Sequence, residues 1–427
     1  MGPYCCPCCW PVAAVATLVP SISLPAAAAT TNPAPPSAAP AAVAVADPHT
    51  PPIPACMIVD GRAPAFEQGI LRLGLQIGTE TITPGQRELL LSLLPEGDVH
   101  KLQGFYHDKD RRLALGSLLL QRAATSWVLG QRFKDILIQR TQPYNKPYVE
   151  AAGTRLPGWN YNVSHHGDWV VLASEPSGTV GTDVVCLQDR PFQAMTASEY
   201  IDLFRRHLTP AERDGLEGLA PKGETAQYRA FFRVWAMKEA YIKALGVGLS
   251  FPIRRLECSI LDVGKDYLKR VEDEGEEEEL MMDGYGMADW KLRFLALPPD
   301  GCYLWCTAVG PAPSPHFQDV GGIGGTAAVG ISTVDGDCNP CNGYFSTVPF
   351  SAAASQDAAL LTATAAAAAT KAPASGHTQQ RLRRQYHVLS IRDILPWSVQ
   401  AEWDASGGGS GSTEAAAAAA VSVSTQD

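Results

Sequence analysis

The sequence predicts an α+β fold built from two similar lobes and flanked by low-complexity segments. Helix patterns followed by strand patterns occur both before and after the segment NVSHHGD, residues 162–168. Stretches rich in alanine, proline and serine run from Pro11 to Ala46 and recur near the C-terminus. Such segments bury too little apolar surface to offset chain entropy, so the packed part of the 427-residue chain is expected at about residues 66–311.

The first lobe begins with a capped helix. In TITPGQRELLLSLL, Thr83 is the predicted N-cap, Pro84 lies in the first turn and Gln86 reaches back to the cap. LALGSLLLQRAATSWVL predicts a second helix with a broad apolar face. DILIQRT and NKPYV then predict a strand, a turn and another strand, and WVVLASE and TVGTDVVCL predict two further strands.

The second lobe repeats the same local patterns. LTPAERDGLEGL predicts a helix capped by Thr209, with Pro210 and Glu212 in its first turn. A long helix is predicted from about Glu224 to Leu245, followed by strands at RRLECSIL, KLRFLAL and CYLWCTAV. The acidic run EDEGEEEE, residues 272–279, is expected to be a solvated loop or hairpin tip.

Composition excludes several classes of function. A net charge of −10 and a pI near 5.4 argue against general nucleic-acid binding. Because proline interrupts every long apolar stretch, we expect no transmembrane helix and no membrane partner. The eleven cysteines lack convincing ligand spacing and are expected to be reduced. A zinc site formed by Cys302, Cys306, Cys338 and Cys341 is the disfavoured alternative.

Two short elements carry candidate functional side chains. Asn162, Ser164 and His165 directly precede a hydrophobic strand, where polar groups can donate to phosphate oxygens. Asp183 interrupts an apolar run, and a carboxylate in a buried strand is costly unless it is paired or bound to metal. Two alternatives stay open: a structural, hydrogen-bonded His165, and a strand-end surface position for Asp183.

The predicted long helix carries a third element, WAMKEAYIKALGVGL, residues 235–249. Glu239 precedes Lys243 by four residues, so the two could form an exposed intrahelical ion pair. Alternatively, Glu239 and Asp183 provide two hard oxygen ligands of the kind that Mg²⁺ prefers. In that case Lys238 and Lys243 would neutralise the oxygens of a pyrophosphate. The glycines that end the helix and its aromatic start favour the second interpretation.

These motifs resemble the paired signature of the 4′-phosphopantetheinyl transferase superfamily: G-T-D at residues 181–183, then W-x-x-K-E-x-x-x-K-x-x-G-x-G-L at 235–249. The element N-x-S-H at 162–165 and the pair formed by Arg140 and Lys146-Pro147 also fit. The resemblance is greatest to the two-lobed, single-chain animal members and covers roughly Leu71 to Val309. RQYHVLSIRDIL, Arg384 to Leu395, is similar to their C-terminal tail.

The resemblance implies a pseudo-dimeric fold and a reaction. The 4′-phosphopantetheine arm of coenzyme A would move to a serine of an acyl or peptidyl carrier protein, releasing adenosine 3′,5′-bisphosphate. It implies Mg²⁺ bound by Asp183 and Glu239, with Glu239 also as general base and Lys243 on the phosphates. The other coenzyme A contacts that it implies are Arg140, Lys146, Ser164 and His165. Lys238 and Lys101 are weaker candidates for such contacts.

The resemblance has one departure and several further implications. Many bacterial members carry a second acid two residues after the first, where this chain has Val185, so water is expected to complete the metal shell. The protein is expected to be a cytoplasmic monomer that serves fatty acid biosynthesis and lysine metabolism. Import into a plastid or mitochondrion is the alternative if the Ala-rich N-terminus is a transit segment. A non-catalytic scaffold that binds coenzyme A or a carrier protein is the alternative function.

The predicted organisation has six parts. Residues 1–65 form an Ala/Pro-rich disordered or targeting segment, 66–165 the N-terminal lobe, 166–311 the C-terminal catalytic lobe, 312–380 a low-complexity insertion, 381–400 a tail segment that packs on the core, and 401–427 a disordered tail.

Overall fold

The computed structural model describes residues 47–58, 63–189, 195–274, 276–298, 302–311, 382 and 385–407. Most of the predicted N-terminal segment, all of the insertion at 312–380 and the end of the C-terminal tail lie outside these residues. The described helices are α1 (Pro64–Gln68), α2 (Pro84–Ser92), α3 (Glu96–Gln103), α4 (Asp108–Leu129), α5 (Ala197–Leu203), α6 (Pro210–Gly218), α7 (Glu224–Leu245), α8 (Lys265–Glu274) and α9 (Trp397–Ser406).

The strands are short in the connecting regions and longer in two central sheets. They are β1 (Leu71–Gln76), β2 (Gln139–Arg140), β3 (Pro147–Tyr148), β4 (Asn160–His166), β5 (Trp169–Glu175), β6 (Thr179–Cys186), β7 (Leu256–Glu257), β8 (Glu276–Glu278), β9 (Met281–Met282), β10 (Tyr285–Gly286), β11 (Lys291–Leu297), β12 (Tyr303–Gly310) and β13 (His387–Leu389). The strands predicted from DILIQRT and RRLECSIL are therefore reduced to two residues each, β2 and β7.

Capping boxes start the helices that the sequence marked most clearly. Thr83 accepts a hydrogen bond from the Gln86 N–H, and the Gln86 side chain accepts one from the Thr83 N–H. Thr209 and Glu212 make the same reciprocal pair at α6. Each box satisfies two backbone donors that a helix start otherwise leaves unpaired. Both predicted N-termini are confirmed.

The first lobe is a four-stranded sheet in the order β13-β1-β5-β4, covered on one face by α4. β1 is antiparallel to β5 and parallel to β13, so a strand from the C-terminal tail completes the sheet. α9 extends this attachment, because the Thr83 hydroxyl donates to the Ser406 carbonyl at 2.9 Å. The described part of the tail, residues 385–407, packs on this lobe and extends past residue 400, the expected end of the packing segment.

Part of the predicted N-terminal segment also packs on this lobe. The Trp127 indole N–H donates to the carbonyls of Pro51 and Pro52 at 3.2 and 3.1 Å. Met57 is buried in the core of the lobe, with 2% of its surface exposed. Residues 47–58 of the predicted disordered or targeting segment therefore pack on the first lobe, through contacts that composition does not reveal.

The second lobe is an antiparallel sheet in the order β6-β12-β11-β8, with α7 packed on its face. The predicted boundary between residues 165 and 166 falls inside the β4–β5 hairpin, which belongs entirely to the first sheet. The two sheets divide between β5 and β6 instead. Their faces away from α4 and α7 meet through a small apolar cluster that includes Trp169 of β5, Val184 of β6 and Trp305 of β12.

The acidic run is not wholly a solvated loop. Residues 276–278 form β8, which pairs with β11 at the edge of the second sheet. Arg233, a fully buried residue of α7, forms ion pairs with Glu276 and Glu278. A buried guanidinium requires carboxylate partners, and this requirement fixes part of the run as a strand. Within the described residues, the helices are too short or too polar to cross a bilayer.

Candidate active site

The G-T-D motif places a carboxylate where α7 lies directly on β6. A Cβ atom on Gly181 would lie 2.0 Å from the Ala240 carbonyl oxygen and 2.2 Å from the Ala244 nitrogen. Only glycine permits that approach of helix backbone to strand. Asp183 follows two residues later on the same face of β6, so its side chain points toward α7 as well.

A three-residue cluster joins Asp183 to the helix and to the first lobe. The Lys243 ammonium, from the last turn of α7, lies 2.6 Å from Asp183 Oδ1 and donates to Ser164 Oγ at 3.0 Å. The Ser164 hydroxyl, from β4, also donates to Asp183 Oδ1, at 2.9 Å. Side-chain exposures of 8% for Asp183 and 12% for Lys243 make this an almost desolvated charge pair. The strand-end surface alternative for Asp183 is therefore wrong.

Glu239 occupies the same face of α7, one turn before Lys243. It is half-buried, in contrast to the nearly buried Asp183. Because Lys243 pairs with Asp183 of β6, an isolated surface ion pair between Glu239 and Lys243 does not describe this helix face. The geometry gives two carboxylates, one on β6 and one on α7, beside one ammonium.

The neighbouring polar residues of β4 divide between two roles. Asn162 Oδ1 accepts the Thr182 N–H at 2.9 Å, which joins the edge of the first sheet to β6. Asn162 is therefore a structural link between the two sheets. His165 is half-buried and lies on the face of β4 opposite Ser164, as strand alternation requires. Its contact with coenzyme A stays a prediction.

His166, two residues after Ser164 on β4, makes contacts with the end of β6 that the sequence did not predict. Its Nε2 lies 3.0 Å from Asp189 Oδ2, and its Nδ1 accepts the Cys186 N–H at 3.3 Å. The accepting role of Nδ1 puts the ring proton on Nε2, which then donates to Asp189. The histidine doublet in the sequence was the available signal, but nothing in it identifies which ring faces β6.

Arg140 and Lys146 both belong to the β2–β3 hairpin and behave differently. The exposed Arg140 guanidinium donates to the Asn145 carbonyl at 3.1 Å. The Lys146 ammonium turns inward and donates to the Ala244 carbonyl at 2.7 Å and to the Val180 carbonyl at 3.2 Å. Loss of hydration lowers the pKa of Lys146 to about 8. The hairpin therefore presents one basic group outward and one to the end of α7.

The structure does not bring Lys238 and Lys101 to the cluster. The Lys238 ammonium is fully buried and contacts Glu212 Oε2 at 2.7 Å and the carbonyls of His207 and Leu256. It cannot reach a phosphate from there, which removes it from the expected coenzyme A contacts. Lys101 lies on α3 with 72% of its side chain exposed, paired to Asp98 at 3.3 Å. It has no described contact with Asp183 or Lys243.

The donor set suits a hard divalent cation held with few protein ligands. Asp183 and Glu239 offer carboxylate oxygens, which Mg²⁺ prefers, and Mg²⁺ commonly keeps several waters and substrate oxygens. Among the described residues, no group of three or more histidine, cysteine, aspartate or glutamate side chains is arranged to hold a metal. Val185, at the position of the missing third acid, is 4% exposed in the core of the second lobe. The residues present thus fit a two-carboxylate Mg²⁺ site.

Comparison with known proteins gives matches to both lobes. Residues 82–177 match a family described as 4′-phosphopantetheinyl transferase, N-terminal, and residues 179–292 match the 4′-phosphopantetheinyl transferase superfamily. The division between these matches lies between β5 and β6, where the two sheets divide.

Individual relatives agree with the family matches. The L-aminoadipate-semialdehyde dehydrogenase-phosphopantetheinyl transferase of Pongo abelii is 33% identical over 217 residues, which is 49% of this chain and 66% of the relative. The Xenopus laevis protein of the same name is 32% identical over 229 residues, 50% of this chain and 73% of the relative. A 4′-phosphopantetheinyl transferase of Bacillus subtilis is 28% identical over 222 residues, 52% of this chain and 90% of that protein. The chain thus spans about two thirds of the length of the first of these relatives.

Proposed function

From the premise that this chain belongs to the 4′-phosphopantetheinyl transferase superfamily, we propose that it moves 4′-phosphopantetheine from coenzyme A to a carrier-protein serine. The observation that carries the proposal is the cluster of Lys243, Asp183 and Ser164, assembled from both lobes around a nearly buried charge pair. This pairing supplies the cation and the carboxylate that binding of a pyrophosphate and its metal would require. The products are a holo carrier protein and adenosine 3′,5′-bisphosphate.

In the proposed reaction, the serine oxygen forms a bond to the phosphorus that bears the pantetheine. The bond from that phosphorus to the bridging oxygen breaks, and the bridging oxygen leaves on adenosine 3′,5′-bisphosphate. Glu239, directly or through a water, takes the serine proton. Lys243 neutralises the non-bridging oxygens, and its pairing with Asp183 and Ser164 holds the ammonium in place beforehand.

Asp183 and Glu239 would hold Mg²⁺ in this proposal. When bound, the ion would supply charge neutralisation and orientation of the pyrophosphate. The coenzyme A contacts proposed outside the cluster are Arg140 and His165, with Lys101 as a more distant basic group. Arg140 supports this role because its guanidinium is exposed.

The proposed partners are apo acyl carrier proteins of fatty acid biosynthesis and the carrier domain of an aminoadipate-semialdehyde dehydrogenase of lysine metabolism. The second follows from the printed name of the relatives. Carrier proteins present acidic helices, so docking is expected on basic groups near the cluster. A monomeric state, a cytoplasmic location and the absence of nucleic-acid partners stay predictions.

Intact-mass spectrometry tests the proposed reaction. An apo carrier protein is incubated with this protein, coenzyme A and Mg²⁺, beside a control with EDTA. The expected result is a gain of one phosphopantetheine mass that EDTA abolishes. Coenzyme A binding without any mass gain on several carriers would contradict the proposal and favour a non-catalytic scaffold.

Glu239→Gln separates the chemical step from binding. The amide keeps the size of the side chain but cannot take a proton, so transfer is expected to fall by about 10²-fold or more while coenzyme A binding stays measurable by calorimetry. Glu224→Gln, at the first residue of the same helix, serves as the control. Full transfer by Glu239→Gln would remove Glu239 from the mechanism.

A further inference from the structure

The tip of the β2–β3 hairpin is hydrogen-bonded to the C-terminal end of α7 and to the segment that follows it. The tip is closed by two hydrogen bonds, from the Thr141 N–H to the Lys146 carbonyl and from the Lys146 N–H to Thr141 Oγ1. From this closed loop, Tyr144 accepts a hydrogen bond from the Ser250 hydroxyl at 2.9 Å. Ser250 lies five residues beyond the end of α7, whereas the Lys146 side chain contacts the last turn of α7 itself.

Lys146 joins three elements through its ammonium. Ala244, whose carbonyl accepts at 2.7 Å, lies in the last turn of α7, where carbonyls have no intrahelical partner. Val180, whose carbonyl accepts at 3.2 Å, directly precedes Gly181 on β6. A cation at a helix C-terminus is favoured by the helix dipole. The ammonium thus bridges helix and strand beside the point where their backbones touch.

The glycine after α7 makes room for this arrangement. Gly246 has a φ of 69°, and a Cβ atom there would lie 2.9 Å from Lys146 Cδ. The lysine stem therefore lies over the Cα atom of Gly246, at the helix C-cap. The first glycine of G-x-G and the lysine of Lys146-Pro147, about a hundred residues apart in the sequence, form a single contact.

The charge of Lys146 is held at a cost to stability. Among the described residues, the hydrogen bonds of its ammonium go to two carbonyls and to no carboxylate. Desolvation lowers the pKa of Lys146 to about 8, so the folded protein holds this proton less tightly than an unfolded chain does. The contacts with Ala244 and Val180 offset only part of this desolvation cost, so the position of the ammonium is more readily explained by activity than by folding alone.

We propose that Lys146 is a positioning residue, which fastens the end of α7 to β6 and so sets Lys243 beside Asp183. Lys243 lies next to Ala244 in the chain, so a shift of the last turn moves its ammonium directly. The inference rests on the proposed transfer function. It also replaces the expected direct contact of Lys146 with coenzyme A, which leaves Arg140 as the hairpin's phosphate ligand.

Steady-state kinetics of Lys146→Met, Lys146→Arg and Arg140→Met test the inference. Lys146→Met is expected to lower kcat by about 10- to 100-fold, because a small displacement of a positioned group is enough to do so. Its KM for coenzyme A should stay within about twofold of the wild-type value. Lys146→Arg, which keeps charge and donors, should recover part of kcat, and Arg140→Met should mainly raise KM. Lys265→Met, on an exposed residue of α8, is the matched control.

Hydrogen exchange of the α7 C-terminus gives a readout that needs no catalysis. Lys146→Met is expected to speed exchange of the Gly246 amide, which donates to the Ile242 carbonyl at 2.9 Å, while Tm stays close to the wild-type value. If the wild-type protein transferred phosphopantetheine to no carrier, the proposed function would fail. The exchange measurement would still test whether Lys146 fastens the end of α7 to β6.

Three outcomes would overturn the inference. The first is a higher KM with unchanged kcat in Lys146→Met, which would make the lysine a coenzyme A ligand. The second is unchanged exchange together with unchanged kcat. The third is a Lys146→Met variant that does not fold while folded Lys146→Arg has wild-type kinetics and exchange, which would assign the lysine to folding alone.

Discussion

Two lysines of α7 pair with carboxylates, and the surroundings of the two pairs differ. Lys238 and Glu212 are both fully buried inside the second lobe, with Nζ and Oε2 2.7 Å apart. Lys243 and Asp183, 2.6 Å apart, keep 12% and 8% side-chain exposure and add the hydroxyl of Ser164 from the other lobe. Five residues separate the lysines, which turns their side chains about 140° apart around the helix.

The difference shows how one helix serves both the fold and the site. Around Lys238, backbone carbonyls complete the hydrogen bonds of the ammonium, and Glu212 also accepts the Cys258 N–H at 2.9 Å. Burial raises the pKa of Glu212, and the nearby Lys238 ammonium opposes that rise. Each charge of the pair therefore compensates the other inside the lobe. Lys243 instead faces the junction of the lobes. There a phosphate oxygen could replace one of the present hydrogen-bond partners of its ammonium.

The largest effect is expected from breaking the buried pair. Lys238→Met leaves the Glu212 carboxylate buried without its cation, which should lower the free energy of unfolding by about 3–5 kcal/mol. Chemical denaturation followed by far-UV circular dichroism measures the change. Adding Glu212→Gln should recover part of the loss. A Lys238→Met variant with wild-type stability and reduced coenzyme A affinity would reverse the assignment of the two lysines.

Lys243→Met should give the opposite pattern. Loss of the ammonium removes charge neutralisation at the pyrophosphate, so the rate of transfer is expected to fall about 100-fold, or about 2.7 kcal/mol. The free energy of unfolding should fall by about 1–3 kcal/mol, less than in Lys238→Met, because Asp183 still accepts from Ser164 and the pair keeps some exposure to solvent. The same denaturation series and a single-turnover transfer assay check both numbers. Comparable losses of stability in both lysine variants would contradict the assignment of Lys238 to the fold and Lys243 to the site.

The sequence predicted the elements of this comparison better than their environments. The long helix from Glu224 to Leu245 and the capping boxes of α2 and α6 are local features, set by side chains three or four residues apart. Asp183 could be selected because a carboxylate in an apolar strand is costly. These inferences require no knowledge of the tertiary partner.

What failed depended on partners distant in the chain. The helical pattern separates Lys238 from Lys243 by about 140°, but it does not reveal that Lys238 meets Glu212 of α6. Likewise, Lys146 appeared to be a phosphate ligand because nothing local reveals that its ammonium meets Ala244. The parallel pairing of β13 with β1 joins segments about three hundred residues apart and leaves no local signal.

Glu80 gives the smallest expected effect and shows what a carboxylate costs without a lysine partner. Its Oε1 accepts the Ile391 N–H at 3.4 Å where the C-terminal tail meets the first lobe. Burial raises the pKa of Glu80 from 4.5 to about 7; the Ile391 N–H opposes this rise and the charge of Asp393 adds to it. The folded chain therefore holds this proton more tightly than the unfolded chain. That contribution is complete below about pH 4.5 and is lost as the pH rises through about 7.

Glu80→Gln should consequently raise the free energy of unfolding by about 1 kcal/mol at pH 8 and leave it nearly unchanged at pH 4.5. The amide oxygen can still accept the Ile391 N–H, so the change isolates the charge. Denaturant titrations at the two pH values measure it, with the exposed Glu88→Gln of α2 as the matched control. Equal effects at both pH values would mean that the hydrogen bond, not the charge, is what the tail contact depends on. Glu80 would then differ from Glu212 and Asp183 in its hydrogen bonds and not in the lack of a cationic partner.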